Sequence, residues 1–161
     1  MLGKTIYSKR ELLILSNLRR EGRATITKLS KLTNVPISTI YEKLKSNNQG
    51  LIKKHTCLIN FSRLGFNTIT NVLLRVKKED RESLKQYLMR HHSVNSLYKI
   101  NSNFDFLLEG VFRNIKDMEE FMEALEDKFA IKGKQVYYII DDIKREGFME
   151  NTELIDLVME P

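Results

Sequence analysis

The spacing of apolar residues changes partway along the chain. Up to Ser46 they recur at helical intervals, and from Asn67 onward they mostly alternate with polar ones. Ile14, Leu15 and Leu18 form an i, i+1, i+4 stripe that predicts a helix over Glu11–Glu21. Ser8, with Glu11 three residues on, predicts a capping box at its start, and Gly22 a left-handed stop at its end. Ile26, Leu29 and Leu32 predict a second helix from Thr25 to Thr33. Asn34 then stands where a tight turn needs positive φ, which Asn tolerates best after Gly, and Val35 plugs that turn into the core. Pro36 suits the first turn of a third helix, running to Ser46, with Ile40 and Leu44 facing inward. Two short helices joined by a tight turn make a helix-turn-helix pattern.

The segment GLIKKHTCLINF, Gly50 to Phe61, reads as a turn and then a strand. Strict alternation follows from Asn67 to Val76. Glu79–His92 is helical, with Leu84, Tyr87, Leu88 and His91 on one side. VNSLYKI, from Val94 to Ile100, alternates again, Asn101–Asn103 makes a tight connection, and Phe104–Phe112 is a further strand. Asn114–Phe129 has the strongest helical pattern, with Ile115, Met118, Phe121, Met122, Leu125 and Phe129 on one face, and Val136–Ile143 closes as a strand. The order is βαββαβ, the ferredoxin-like arrangement. The fold class expected is therefore α+β: an N-terminal (winged) helix-turn-helix domain, then a ferredoxin-like domain. The boundaries expected are 1–50 for the first, 51–66 for a connecting strand and linker, 67–146 for the second, and 147–161 for a C-terminal tail. In that tail Leu154, Ile155, Leu157 and Val158 predict a short amphipathic helix that caps the sheet or packs on a partner subunit.

Two helices can cover only one face of a four-stranded sheet. The strands here carry apolar residues on both sides: Phe104, Phe106 and Leu108 against Leu107 and Val111, Tyr138 and Ile140 against Tyr137 and Ile139. A sheet apolar on both faces must bury both. A second copy is the expected cover, in an isologous two-fold contact, so a homodimer through this half is expected.

Charge separates the halves further. Residues 1–66 carry 13 Lys/Arg and 3 Asp/Glu, a net of +10, whereas residues 67–161 carry 14 and 18, a net of −4. A basic surface gains affinity for nucleic acid by displacing phosphate counterions, so double-stranded DNA is the partner expected of the first half. Ser38, Thr39, Tyr41, Glu42, Lys43 and Lys45 are left on the outside of the third helix after its core positions are assigned, with Pro36 at its start. These residue types suit phosphates, base edges and thymine methyls. Arg23, Thr25, Lys28 and Lys31 would flank the groove, and Lys53 and Lys54 would reach the backbone.

Other chemistries find little support. The single cysteine, Cys57, excludes a disulfide framework and a cysteine-rich zinc site. His55 has no second histidine at a ligand spacing. There is no Gly-rich phosphate loop, nucleophile–histidine motif or cofactor box, so no catalytic residue, metal or cofactor is expected. MLGKTIYSKR has no signal-peptide core and no apolar run approaches a membrane span, so a cytoplasmic location and no membrane contact are expected.

A helix-turn-helix, a connecting strand and a βαββαβ module in this order resemble the Lrp/AsnC (leucine-responsive, feast/famine) family of transcription regulators. The stretches that carry the resemblance are EGRATITKLSKLTNVPISTIYEKLK, GLIKKHTCLINFSRLGF and INSNFDFLLEGVF. It covers roughly residues 8–146. It implies that the second domain is the family's RAM domain, that the protein forms dimers, often assembled into octamers, that the third helix enters the major groove, and that an amino acid is the effector. Carried onto this chain, the effector region is the turn holding Tyr98, Asn101, Ser102, Asn103 and Asp105. Three positions depart from the family's pattern. Asn34 replaces a glycine in the helix-turn-helix turn, Ser102 replaces one in the effector turn, and KSNNQG shortens the recognition helix.

Two other functions compete. Some proteins similar to this family decarboxylate a tetrapyrrole such as sirohaem. Such a site would draw on Arg90, His91, His92 and Arg113, but adjacent histidines on a helix would point to different sides. The other rival is a winged-helix module that binds a protein of the transcription machinery. The Lys-, Asn- and Ile-rich composition suits a prokaryotic, AT-rich source.

Overall fold

Ser8 and Glu11 close a capping box at the first helix. The Ser8 side chain accepts from the Glu11 N–H, and the Glu11 carboxylate accepts from the Ser8 N–H at 2.8 Å. The helix, α1 (Lys9–Arg20), ends on Glu21, whose extended backbone (φ −142°) stops it with an N–H bonded back to the Asn17 carbonyl. The left-handed stop expected at Gly22 is not used. The computed structural model describes residues 7–46 and 52–159, so readings of the first six residues and of residues 47–51 lie outside it. The chain divides into two units, residues 1–58 with 143–161, and residues 59–142.

In the first unit, α2 (Ile26–Thr33) is capped by Thr25, and Asn34 adopts the expected left-handed conformation at φ 52°. α3 (Ile37–Ser46) follows, with the Pro36 carbonyl accepting from the Ile40 N–H at 3.0 Å. Ile14, Leu29, Val35 and Ile40 are buried, with Leu18, Ala24, Ile26 and Leu44 packed against them. Leu32, expected inside, is half exposed, because a three-helix core is too narrow to cover the edge of its stripe. The C-terminal segment joins this unit. It makes a 3-10 turn at Thr152–Leu154 and α6 (Ile155–Met159), buries Ile155 and lies along α1 through Lys9–Asp156 and Arg19–Glu146 ion pairs at 2.6 and 2.9 Å.

The strand and wing expected before Phe61 do not form. Residues 52–60 are irregular, and Leu58 and Ile59 are exposed, because no strand among the described residues lies beside them to complete a ladder. A 3-10 turn at Phe61–Leu64 closes on Gly65, whose φ of 85° only glycine takes without strain.

The second unit is the expected βαββαβ. β1 (Thr68–Val76), α4 (Arg81–Arg90), β2 (Val94–Lys99), β3 (Phe106–Phe112), α5 (Ile115–Lys128) and β4 (Ile131–Tyr138) form one antiparallel sheet in the order β2-β3-β1-β4. β1 alternates strictly, burying Thr68, Thr70, Val72, Leu74 and Val76. Val72, Leu74 and Val76 meet Leu84 and Leu88 of α4 and Met118, Phe121, Met122 and Leu125 of α5. β4 begins five residues earlier than expected, because its register on β1 starts at Val76↔Ile131, and it stops at Tyr138 opposite Thr70, with one further bond from the Ile139 N–H to the Ile69 carbonyl at 2.9 Å. Ile140 and Ile143, expected in the strand, are left exposed. Ile115, expected on the buried face of α5, is its exposed first residue, just past the Asn114 cap.

The face away from the helices is mixed rather than apolar. Ile69, Leu73, Leu107 and Val111 are half buried there, and Tyr98 and Tyr137 are exposed. Asn71, Glu109 and Gln135 lie among them by register.

Candidate nucleic-acid interface and effector turn

The helix-turn-helix sorts the residues of α3 onto two faces. Ser38, Tyr41, Glu42 and Lys45, at i, i+3, i+4 and i+7, are all exposed and share one stripe. Ile37 is also exposed, one turn before Tyr41, and adds an apolar element that the sequence reading missed. Its spacing from Ile40 and Leu44, i, i+3 and i+7, places it with the inward stripe, so the sequence carries no signal for its exposure.

Thr39 and Lys43 fall on the other side and are half buried. The Lys43 ammonium lies 2.8 Å from a Glu11 carboxylate oxygen on α1. That carboxylate is held well below the usual range, down to about 2. Its bond to Lys43 is the largest cause, followed by the bonds from the Ser8 N–H and hydroxyl.

The flanking residues also divide. Arg23 and Lys31 are exposed. Thr25 is the cap of α2, its hydroxyl accepting from the Lys28 N–H at 3.2 Å, and the Lys28 ammonium is paired with Glu21. Pro36, Lys53 and Lys54 are exposed.

In the second unit, the turn between β2 and β3 exposes Asn101, Ser102 and Asn103, with Ser102 left-handed at φ 69°. Tyr98 is exposed on the outer face, opposite Leu107. Asp105 turns inward. Its carboxylate accepts from the Val76 N–H at 2.9 Å and pairs with Arg81 at 2.8 Å, and its own N–H donates to the Leu74 carbonyl at 2.8 Å.

At the other end of the sheet, His91 and His92 stack with ring centroids 4.6 Å apart. The expectation that they point apart is corrected: α4 ends at Arg90 and His91 is extended (φ −76°, ψ 128°), so helical geometry does not apply. Both line a cleft of about 440 Å³ with Phe66, Arg113 and Asp117. The His91 ring packs 4.7 Å from Phe121 and accepts from the Ser93 N–H through Nδ1. Burial first, then the neighbouring His92 and Lys128, lower its pKa. These contacts make His91 a plug for the end of the core. No group of three or more metal-ligating side chains occurs among the described residues, and no helix among them is long and apolar enough to cross a membrane.

Residues 70–148 match the Lrp/AsnC ligand binding domain family. The HTH-type transcriptional regulator FL11 of Pyrococcus abyssi is 23% identical over 142 residues, covering 88% of this chain and 91% of that protein. An uncharacterised HTH-type transcriptional regulator of Pyrococcus furiosus is 27% identical over 146 residues, covering 84% and 92%. Among solved structures, a Neisseria meningitidis transcriptional regulator in complex with L-Met aligns with a TM-score of 0.80 at 20% identity, covering 86% of this chain and 93% of that one. AsnC of Escherichia coli aligns at 0.76 and 16% identity, covering 87% and 96%. At such identities the structural likeness carries the fold.

Proposed function

From the premise that the chain belongs to the Lrp/AsnC family of regulators, we propose that it is a sequence-specific DNA-binding transcription regulator. It acts in the cytoplasm as a dimer or higher oligomer, octamers included, and is not an enzyme. The observation that carries this reading is the exposed stripe Ser38, Tyr41, Glu42 and Lys45 on the second helix of a helix-turn-helix, inside the basic part of the chain. Lys45 supplies a charge for phosphate or guanine, Ser38 a hydroxyl near the helix N-terminus, and Ile37 and Tyr41 apolar surface for thymine methyls. Arg23, Lys31, Lys53 and Lys54 supply further backbone charge. A dimer sets two copies of α3 about one helical turn of DNA apart on a near-palindromic site.

The dimer forms through the mixed outer face of the sheet, where half-buried Leu73 and Leu107 await cover. A small amino-acid-like effector, such as the L-Met named with the Neisseria regulator, binds at the β2–β3 turn. Asp105 is already engaged, so recognition falls to Tyr98, Asn101, Ser102 and Asn103. Incubation with sheared genomic DNA at near-physiological salt, recovery and sequencing tests the proposal. One enriched near-palindromic motif supports it, and motif-free or absent recovery sinks it. Light scattering at micromolar concentration tests the dimer.

A further inference from the structure

Three of the charged side chains near α3 do not behave alike. Lys45 is exposed, Lys28 is paired with Glu21, and Lys43 is drawn back to Glu11 on α1. Glu11 occupies a particular place. One carboxylate oxygen accepts from the backbone N–H and the hydroxyl of Ser8, both at 2.8 Å, and the other accepts from Lys43 at 2.8 Å. Its side chain is only 14% exposed, against 43% for Lys43, so the carboxylate is the fixed member and the lysine the one held. A single carboxylate thus ties the start of α1 to the last turn of α3.

We propose that Glu11 is a positioning residue for DNA recognition. Through Lys43 it fixes how α3 is seated on α1, and so the angle at which the stripe Ser38, Tyr41, Glu42 and Lys45 is presented. Lys43 serves that seat and does not neutralise a phosphate. The inference rests on the DNA-binding reading and adds a division of labour among lysines that were equivalent by sequence. The physical ground is that the pair is made across two helices, partly shielded from water. Charges in such a place are screened less than surface pairs, and breaking one leaves its partner uncompensated.

The test measures affinity for one short duplex, taken from the fragments that the genomic selection enriches, across a salt series. It compares the intact protein with Glu11→Gln, Lys43→Met, the double variant, Lys45→Met and Ser8→Ala. A lysine that binds phosphate contributes about one unit to the slope of log affinity against log salt, so Lys45→Met should lower the slope by about that much. Glu11→Gln and Lys43→Met should each weaken binding about three- to ten-fold with the slope unchanged, and the double variant should be no weaker than either alone. Ser8→Ala removes the cap hydroxyl but leaves the Glu11–Lys43 pair. It should lower the melting temperature while affinity, read well below melting, stays at the parent value.

A slope lowered by Lys43→Met would overturn the proposal, as would tighter binding by Glu11→Gln or full additivity of the two changes. Weakening by Ser8→Ala equal to that of Glu11→Gln would overturn it too, since the role would then be stability alone. If the intact protein binds no duplex, the DNA-binding reading itself fails.

Discussion

The Asp105 carboxylate sits 2.8 Å from the Arg81 guanidinium while its second oxygen accepts from the Val76 N–H at 2.9 Å. One side chain therefore joins the end of β1, the start of α4 and the turn before β3. The sequence resemblance placed Asp105 among the effector-binding residues; its partners make it a brace for the turn. Asp105→Ala leaves the Val76 N–H and Arg81 without this acceptor and should destabilise the second unit by about 1–3 kcal/mol. Urea unfolding followed by circular dichroism measures this. Full stability in the variant would show that the brace carries no load.

Ser102 takes a left-handed conformation at φ 69° beside exposed Asn101 and Asn103. A residue with a Cβ is strained there, by roughly 1–2 kcal/mol in general, and glycine is not. Glycine gives back part of the gain through the greater freedom of its unfolded state. Ser102→Gly should raise stability by about 0.5–1 kcal/mol, seen as a rise of a few degrees in melting temperature. A fall would mean that the serine side chain makes a contact worth more than the strain.

Much of the architecture was legible because it rests on periodicity. The alternation of Thr68, Thr70, Val72, Leu74 and Val76, the stripe of Met118, Phe121, Met122 and Leu125, and Asn34 in the turn each follow from local rules, and each stands in the structure. What was not legible depends on partners distant in sequence. β4 takes its register and its start from β1, which no pattern within Val136–Ile143 discloses. Residues 52–60 look like a strand but find no partner strand among the described residues. Lys43 and Lys45 are alike in type and two residues apart, and the carboxylate that draws Lys43 back belongs to Glu11, 32 positions earlier. The charge split marked the first unit for the proposed DNA contact, but not which of its cations are paired with carboxylates, as Lys28 is with Glu21.

The depressed pKa of Glu11 makes a prediction about pH. Its folded value is about 2, against 4.5 for the ordinary carboxylate. A carboxylate whose pKa is lowered by folding stabilises the fold fully above its unfolded value, and that contribution is lost as pH falls through the folded one. The first unit should therefore lose stability between about pH 4.5 and 2 in a step that Glu11→Gln removes. The step is on the order of 1–2 kcal/mol after solvent screening. Tyr7 and Tyr41 are in the first unit, but the second holds Tyr87, Tyr98, Tyr137 and Tyr138, so a fluorophore on Cys57 is the better local probe for acid titration. An unchanged acid profile in the variant would show that other carboxylates carry the transition.

Ile155 is 1% exposed although it opens a helix of five residues, too short to be stable alone. The helix is held because Ile155 packs into the first unit while Asp156 pairs with Lys9 and Glu146 with Arg19. Those ion pairs are exposed, and such pairs contribute little, so the isoleucine is the anchor. Ile155→Ala should cost about 2–4 kcal/mol, the usual range for emptying a buried aliphatic site, whereas Asp156→Asn should cost well under 1 kcal/mol. Amide hydrogen exchange across α1 reads the difference: faster exchange at Ile14 and Leu15 in Ile155→Ala, and little change in Asp156→Asn. Equal protection in both variants would show that α1 is stable without the C-terminal segment. Because α1 also carries Glu11, loss of the anchor should weaken DNA binding alongside the fold of this unit, with the salt slope unchanged.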